Sequence, residues 1–214
     1  MKRHLKRQAA PKNWPVPRKG TTFIVTPNSK GLPVLVLLRD LMKVARDRSE
    51  VKKAIHKKDL IISGKVVSHE KKSLELFDTL TIVPSKEYYR IVLSDKGKYG
   101  IEKIDEKSSK TKVSKIIGKK TLKNKKKQIN LADGRNYLCD SKCAVNDSVV
   151  IDLEKIKVVK IIPMKEKTEA LVIGGKHAGM KGKIIKILEE SKMAEIESDG
   201  KNFKVLIKQL MVIE

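Results

Sequence analysis

The second half of the chain consists of short apolar runs, rich in β-branched residues, that are separated by turn signals. The run 148–153 and the run 156–162, which ends at Pro163, both have this character. Short runs bounded by turns are typical of strands in a small barrel or a curled sheet. We therefore predict a central all-β domain over residues 96–168.

The central domain also contains turn signals and a lysine-rich stretch. The Asp133-Gly134 pair predicts a turn of type I′ character, and Asn146-Asp147 predicts a second turn. Residues 107–127 include ten lysines and no acidic residue. We expect this stretch to be a loop or a sheet edge rather than core, and to be disordered in the free protein. Lysines can protect a sheet edge against aggregation, but ten of them exceed what that role needs.

Residues 169–214 contain the most specific local pattern, a glycine-rich loop between two predicted strands. Glycines at 175, 179 and 182 imply positive backbone φ angles or a close approach of two backbones. The loop lacks the Gly-Lys-Ser/Thr sequence and the following helix of a phosphate-binding P-loop. Strands of a predicted five-stranded barrel lie at 171–173, 183–188, 193–197 and 203–207.

Residues 31–95 have the pattern of a compact α/β unit. Apolar residues at helical spacing predict a first helix over 32–45, and Ser49 is a candidate N-cap for a second helix that ends near Lys57. The predicted strands that follow lie at 60–62, 66–67 and 80–83. A cluster of basic residues belongs to the helical pair: Arg39, Lys43, Arg46, Arg48, Lys52 and Lys53. A basic helical face is typical of an RNA-binding surface, although a solvated charged face is an equally simple interpretation.

The first 30 residues are basic, free of acidic residues and interrupted by four prolines. Because prolines break regular helix and sheet, we predict an extended arm that is disordered in the free protein and becomes ordered against a partner. A merely solvated tail is the alternative. Trp14 argues against that alternative, since a large aromatic side chain favours burial or stacking.

The charge of the chain indicates a polyanionic partner. Forty-nine basic against 25 acidic residues give a formal net charge of +24, which nucleic acid can neutralise with release of counterions. An anionic membrane would attract the chain too, but no apolar run approaches the roughly 20 residues that span a bilayer. The sequence does not open with a signal peptide. We expect a soluble, cytoplasmic protein.

Residues that carry chemistry are scarce. Eight aromatic residues are too few for base stacking to be the main mode of binding, which favours recognition of phosphates and of the shape of folded RNA. Cys139 and Cys143 have no second Cys or His pair nearby, and His56 and His69 have no evident catalytic partner. We expect no metal, no cofactor and no catalytic activity.

Four segments together resemble one family. The opening "KRHLKRQAAPKNWPV" at 2–16 is similar to the arm of the archaeal and eukaryotic (e-type) small-subunit ribosomal protein four family. The segment 32–67, which includes "LPVLVLLRDLMKVARDRSEVKKAIHKK", resembles its alpha-L RNA-binding motif. The sequences "DGRNYL" at 133–138 and "VNDSVVIDLEKIKV" at 145–158 resemble its middle domain, and the glycine loop at 174–186 resembles a KOW motif.

The resemblance implies a mixed α/β, β-rich fold with four parts. These are a basic extended arm at 1–30, an alpha-L domain at 31–95, the central β domain at 96–168 and a KOW β-barrel at 169–214. It also implies a structural constituent of the small ribosomal subunit that binds folded ribosomal RNA beside neighbouring ribosomal proteins, as one copy per ribosome. Because the chain ends soon after the predicted barrel, we expect an archaeal source.

The candidate RNA-binding residues follow these parts in order. They are Arg3, His4, Lys6, Arg7, Lys12, Arg39, Lys43, Arg46, Arg48, Lys52, Lys53, Lys119, Lys120, Lys123, Lys125, Lys126, Lys127, Lys176, His177 and Lys181. Three alternatives remain open: an RNA-modifying enzyme that carries an alpha-L module, a KOW-containing translation or transcription factor, and a protein that coats DNA.

Overall fold

The computed structural model describes residues 4–122, 126–139, 142–188, 191–198 and 200–213. The chain forms two compact units. The first extends to Leu93 and resumes at Lys98–Lys110, and the second contains Ser94–Gly97 and everything from Thr111 onward. The described residues are β-rich with three short α-helices, in agreement with the predicted mixed, β-rich class. No helix in these residues is long and apolar enough to cross a membrane.

The N-terminal segment folds back on the first unit. Strand β1 (Leu5–Lys6) pairs antiparallel with β2 (Phe23–Ile24), and a 3-10 turn at Arg7–Ala9 follows β1. Trp14, only 4% exposed, joins Ile24 in the hydrophobic core. Residues 4–30 therefore fold back on the first unit instead of extending away from it, because pairing between distant ends of the segment and burial of its tryptophan offset the cost of ordering it. Disorder of the arm in the free protein stays a prediction.

Two consecutive helical segments follow the arm. After β3 (Leu32–Pro33), α1 (Val34–Val36) continues directly into a π-helical turn at Leu37–Leu41. Helix α2 spans Arg48–His56, and the side chain of Asp47 caps it by accepting a hydrogen bond from the Glu50 amide at 2.9 Å. The second predicted helix is confirmed. The first is shorter than predicted, because Leu32–Pro33 pair with Ser73–Leu74 as strands and the helical segment ends at Leu41. The predicted cap, Ser49, is wrong because Asp47 supplies an acceptor two residues earlier.

A five-stranded antiparallel sheet completes the first unit, in the order β5-β4-β7-β8-β9. Its strands are β4 (Leu60–Ile62), β5 (Lys65–Val66), β7 (Thr79–Ile82), β8 (Glu87–Leu93) and β9 (Tyr99–Ile104). Strand β6 (Ser73–Leu74) pairs with β3, and α3 spans Glu106–Ser109. The predicted hairpin and the strand after it are confirmed. Aliphatic residues of the arm, the helices and this sheet share one core.

The second unit opens with another antiparallel sheet, in the order β12-β11-β10-β13-β14. Its strands are β10 (Thr111–Thr121), β11 (Lys127–Leu131), β12 (Asn136–Leu138), β13 (Ser148–Asp152) and β14 (Lys157–Ile162). Turns at both predicted positions are confirmed. The first is not of type I′, however, because Gly134 has a φ of +77° while Asp133 does not have a positive φ.

The lysine-rich stretch forms the middle strand of this sheet. Lys112 is buried and its Nζ lies 2.6 Å from Asp133 Oδ2, and Lys115 is buried against two backbone carbonyls. The expectation of a loop or an edge is therefore wrong for 111–121. It assumed that every lysine is solvated, whereas an acid or a carbonyl oxygen can compensate a buried ammonium group.

A third antiparallel sheet ends the chain, in the order β18-β17-β16-β15-β19. Its strands are β15 (Glu169–Val172), β16 (Lys181–Leu188), β17 (Met193–Ser198), β18 (Lys201–Leu206) and β19 (Leu210–Val212). The four predicted strands are confirmed, and β19 completes the five. A 3-10 turn at Ile207–Gln209 connects β18 to β19.

Candidate nucleic-acid interface

The exposed side of α2 and the turn before it carry unpaired cations. Val51 and Ile55 face the core, so Lys52 and Lys53 lie on the solvent side of the helix. Lys43 and Arg46 are exposed in the preceding segment. Lys43 has a φ of +57° and ends the first helix, where the Val44 amide bonds to the Leu38 carbonyl. In the described part of the chain, these four side chains show neither a hydrogen bond nor an ion pair.

The two other basic candidates of the helical pair hold carboxylates of the protein itself. Arg39 Nη2 lies 2.8 Å from Asp40 Oδ2. Arg48 Nε lies 2.9 and 2.8 Å from the two carboxylate oxygens of Glu70, which is 2% exposed. This hydrogen bonding lowers the pKa of Glu70 and raises the pKa of Arg48, although burial acts in the opposite direction. Arg48 is thus mainly an anchor for a buried acid, with 59% of its side chain still exposed.

In the arm, the guanidinium group of Arg7 forms hydrogen bonds within the protein. Its Nε and Nη2 donate to the carbonyl and the hydroxyl of Thr21, both at 2.7 Å, and Nη1 donates to the Pro17 carbonyl at 3.0 Å. Arg18 bonds the carbonyls of Gln8 and Ala10 in the same way. The guanidinium groups therefore hold the folded arm together and leave fewer donors for phosphate.

The remaining arm candidates face solvent. Lys6 and Lys12 are exposed, and the His4 ring packs edge-on against Phe23 with ring centres 4.5 Å apart. Phe23 is 52% exposed, so the pair is open on one side. Arg3 lies outside the described residues.

In the central sheet, the free ends of β10 and β11 carry the predicted lysines. Lys120 pairs with Gln128 and Thr121 with Lys127 in the strand register, and Lys126 is exposed beside them. Lys119 donates to the Cys143 carbonyl at 3.0 Å. Lys123 and Lys125 lie outside the described residues.

The glycine loop of the C-terminal sheet is fixed by close contacts. A Cβ atom at Gly182 would lie 2.3 Å from the Glu197 carbonyl oxygen, and one at Gly175 would lie 2.7 Å from Gln209 Oε1. The predicted close approach is thus confirmed. Lys176 and Lys181 project into solvent, whereas the His177 ring stacks on Phe203 at 4.4 Å and an angle of 21°.

The two cysteines, Cys139 and Cys143, are buried in the central sheet, where Lys119 donates to the Cys143 carbonyl. Burial is the main cause that raises the pKa of the Cys143 thiol, with Cys139 adding to it. Among the described residues, no group of three or more His, Cys, Asp or Glu side chains is placed to hold a metal ion.

Comparison with known proteins places the chain in a family. Residues 85–158 match the model of the ribosomal family S4e, and residues 1–29 match that of the RS4NT (NUC023) domain. The chain is 31% identical to small ribosomal subunit protein eS4 of Methanospirillum hungatei, over 100% of this chain and 94% of that protein. The chain belongs to the ribosomal S4e family.

Other S4e proteins agree with this placement. The eS4 protein of Methanothermobacter thermautotrophicus is 33% identical, over 99% of this chain and 92% of its own length. A crystal structure of the 30S ribosomal protein S4e from Thermoplasma acidophilum has a TM-score of 0.74 at 23% identity, and the match covers 87% of this chain and 96% of that one. The family resemblance in the sequence is confirmed, and the β-rich fold is shared.

Sequence reasoning missed two functional arrangements in this S4e protein. Hydrogen bonds from Arg7 and Arg18 hold the arm together, and no local pattern predicts them because most of their acceptors are backbone carbonyls. Lys115 is an internal donor, and here a signal existed: it lies among apolar and small residues between Val113 and Ile116, as a strand interior does.

Proposed function

We propose that this protein is a structural constituent of the small ribosomal subunit, where it binds and stabilises folded ribosomal RNA through phosphate contacts. Its place of action is the cytoplasm, within that subunit. The match to small ribosomal subunit proteins along the whole chain is the observation that carries the proposal. The net charge of +24 supports it, because RNA neutralises such a charge and releases condensed counterions.

The unpaired cations of the helical pair are the primary contact in this proposal. Lys43, Arg46, Lys52 and Lys53 are exposed and form no ion pair among the described residues, so phosphate binding breaks none there. The paired guanidiniums of Arg39 and Arg48 contribute less, since most of their donors already hold Asp40 and Glu70. Arg7 acts indirectly by shaping the arm on which Lys6 and Lys12 are displayed.

The other candidate phosphate contacts are also basic residues, and they lie in two further segments. Lys119, Lys120, Lys126 and Lys127 sit at one end of the central sheet, and Lys176, His177 and Lys181 lie in the glycine loop. The sequence candidates Arg3, Lys123 and Lys125 belong to the same basic segments. Contacts of this kind position a protein on folded RNA without reading bases.

The proposed parts keep the boundaries predicted from the sequence. They are the arm at 1–30, the alpha-L domain at 31–95, the central domain at 96–168 and the KOW domain at 169–214, whose sheet we take to be the KOW barrel. Strand β9 pairs with β8 and so extends the sheet of the alpha-L part to Ile104. The partners are ribosomal RNA and neighbouring ribosomal proteins, at one copy per ribosome, and the role is structural rather than enzymatic.

Sedimentation of a native lysate through sucrose at low and high salt tests the proposal. Co-migration with small subunits through the high-salt wash is expected of an integral component. Migration at the top of the gradient at both salt concentrations would overturn it in favour of the alternative, a free RNA-binding translation or transcription factor.

A further inference from the structure

The two edge strands of the central sheet line one open cleft. Strands β12 and β14 lie at opposite ends of the strand order, and both contribute to a cavity of about 810 Å³. A cavity shared by both edges requires the sheet to curl, so that its first and last strands come near each other. The cleft lies entirely within the second compact unit.

Large aliphatic side chains at this cleft are open to solvent. Leu138 is 58% exposed, Ile156 is 68% exposed and Val159 is 63% exposed, and all three line the cavity. Single exposed aliphatic residues are ordinary on a protein surface, but three around one concavity indicate a surface that a partner covers.

The outer edge of β12 offers backbone hydrogen-bonding groups. The Cys139 amide donates to the Lys127 carbonyl and the Leu131 amide donates to the Arg135 carbonyl, and the register pairs Tyr137 with Ile129. Backbone groups alternate in direction along an antiparallel strand, so those of the two residues between, Asn136 and Leu138, point away from β11. An extended peptide can add to such an edge as a further strand.

The charges around the cleft define the chemistry of the occupant. The charged residues that line it, among those the structure describes, are Lys142 and Lys157, and no acidic residue joins them. Neither lysine forms an ion pair within the described residues. Phosphates also attract lysine, but the aromatic residue of the lining, Tyr137, is only 6% exposed, so the cleft offers RNA bases no open aromatic platform. Aliphatic walls with a basic rim instead fit a segment that carries aliphatic and acidic side chains.

We propose that this cleft binds an extended segment of a neighbouring protein in the small subunit, with aliphatic side chains against Leu138 and Val159 and carboxylates at Lys142 and Lys157. The segment adds to the free edge of β12. The inference rests on the proposed function for the identity of the neighbour, and it adds a protein-docking surface to the RNA-binding role.

Site-specific cross-linking in assembled subunits tests it. The photoreactive residue p-benzoylphenylalanine replaces Leu138 in one full-length variant and Val83, which is 45% exposed in the first unit, in a matched control. Both variants are first sedimented, so that loss of subunit binding, which would count against the proposed function, is seen separately. Irradiated subunits are then digested and the adducts mapped.

Adducts at Leu138 that map to one peptide with aliphatic and acidic residues, absent with the Val83 probe, are the expected result. Adducts to nucleotides alone, or no adduct in subunits that contain the protein, would overturn the proposal. A synthetic copy of the mapped peptide should bind the full-length chain at least about tenfold more weakly after Lys142→Glu with Lys157→Glu. Equal affinity for this variant and for Lys165→Glu with Lys167→Glu would overturn the proposed charge match.

Discussion

The ammonium group of Lys115 in β10 donates to the backbone carbonyl of Leu210, the first residue of β19, at 2.6 Å. It also donates to the Ile207 carbonyl at 2.5 Å, so one side chain joins the central sheet to the turn before the last strand. The bonds are made without an acidic partner in the described residues, and burial lowers the pKa of Lys115 from 10.5 to about 8.

This lowered pKa predicts a specific dependence of stability on pH. Between about pH 8 and pH 10.5 the unfolded chain holds the Lys115 proton while the folded chain has lost it, so stability from this group rises with pH. Below pH 8 the full cost of burying the charge is present. The free energy of unfolding of the native chain should therefore rise relative to Lys115→Met by about 1–3 kcal/mol across this window. The measurement is urea denaturation of the native chain and of Lys115→Met at several pH values. A difference in the free energy of unfolding that does not change with pH would contradict a buried charge at Lys115.

The Arg48–Glu70 pair predicts sensitivity to acid. Because the folded-state pKa of Glu70 is lowered, its contribution is complete above the unfolded value near 4.5 and is lost as pH falls through the lower folded value. At neutral pH, Glu70→Gln leaves the guanidinium without its carboxylate and should lower the free energy of unfolding by about 1–2 kcal/mol, because solvent screens the half-exposed Arg48.

Glu87→Gln is the matched control for that change. Glu87 pairs with Lys103 at 3.0 Å, but this pair lies largely in solvent, with 34% and 66% of the side chains exposed. Urea midpoints at pH 7 should therefore shift clearly for Glu70→Gln and hardly at all for Glu87→Gln. Equal shifts would show that the bond between Arg48 and Glu70 contributes no more to stability than the exposed pair of Glu87 and Lys103.

How much of this molecule the sequence predicts depends on the range of the interactions. Helix α2, the hairpin β4–β5 and strands β15 to β18 follow from local periodicity and turn residues, and they are placed correctly. Strand β19 has only three residues and exists because it pairs with β15, some 40 positions earlier. Local patterns carry no information on such pairings.

The candidate interface divides in the same way. Exposure of Lys52 and Lys53 follows from the buried positions Val51 and Ile55 on the same helix, so helical periodicity suffices. Arg48 pairs with Glu70, which is 22 positions away in the sequence, and Arg7 bonds to Thr21, which is 14 positions away. Helical periodicity does not predict either bond. Sequence composition does not distinguish these cations, whereas in the folded protein Arg48 and Arg7 form internal hydrogen bonds and Lys52 and Lys53 stay exposed.

Gly182→Ala should destabilise the C-terminal sheet. A Cβ atom at this position would lie 2.3 Å from the Glu197 carbonyl oxygen and 2.6 Å from Ile196 Cγ2, and backbone cannot yield as a flexible side chain does. We expect a loss of about 1–3 kcal/mol in the free energy of unfolding. Gly118→Ala is the control, since Gly118 also lies in a strand with ordinary φ and its Cβ would meet nothing nearer than 3.6 Å. Comparable losses for both variants in thermal denaturation would refute the close approach.

Trp14 provides a reporter for the proposed structural role of Arg7. Arg7→Gln removes side-chain bonds to the Thr21 and Pro17 carbonyls, so the arm should loosen and the buried Trp14 should become hydrated. The measurement is the fluorescence of this single tryptophan in the free full-length chain, where we expect a red shift of the emission maximum. Lys12→Gln removes the same charge from an exposed position and should leave the emission unchanged. An unchanged spectrum for both variants would return Arg7 to the set of direct RNA contacts, and a red-shifted spectrum already in the native chain would show an arm that is disordered before RNA binds.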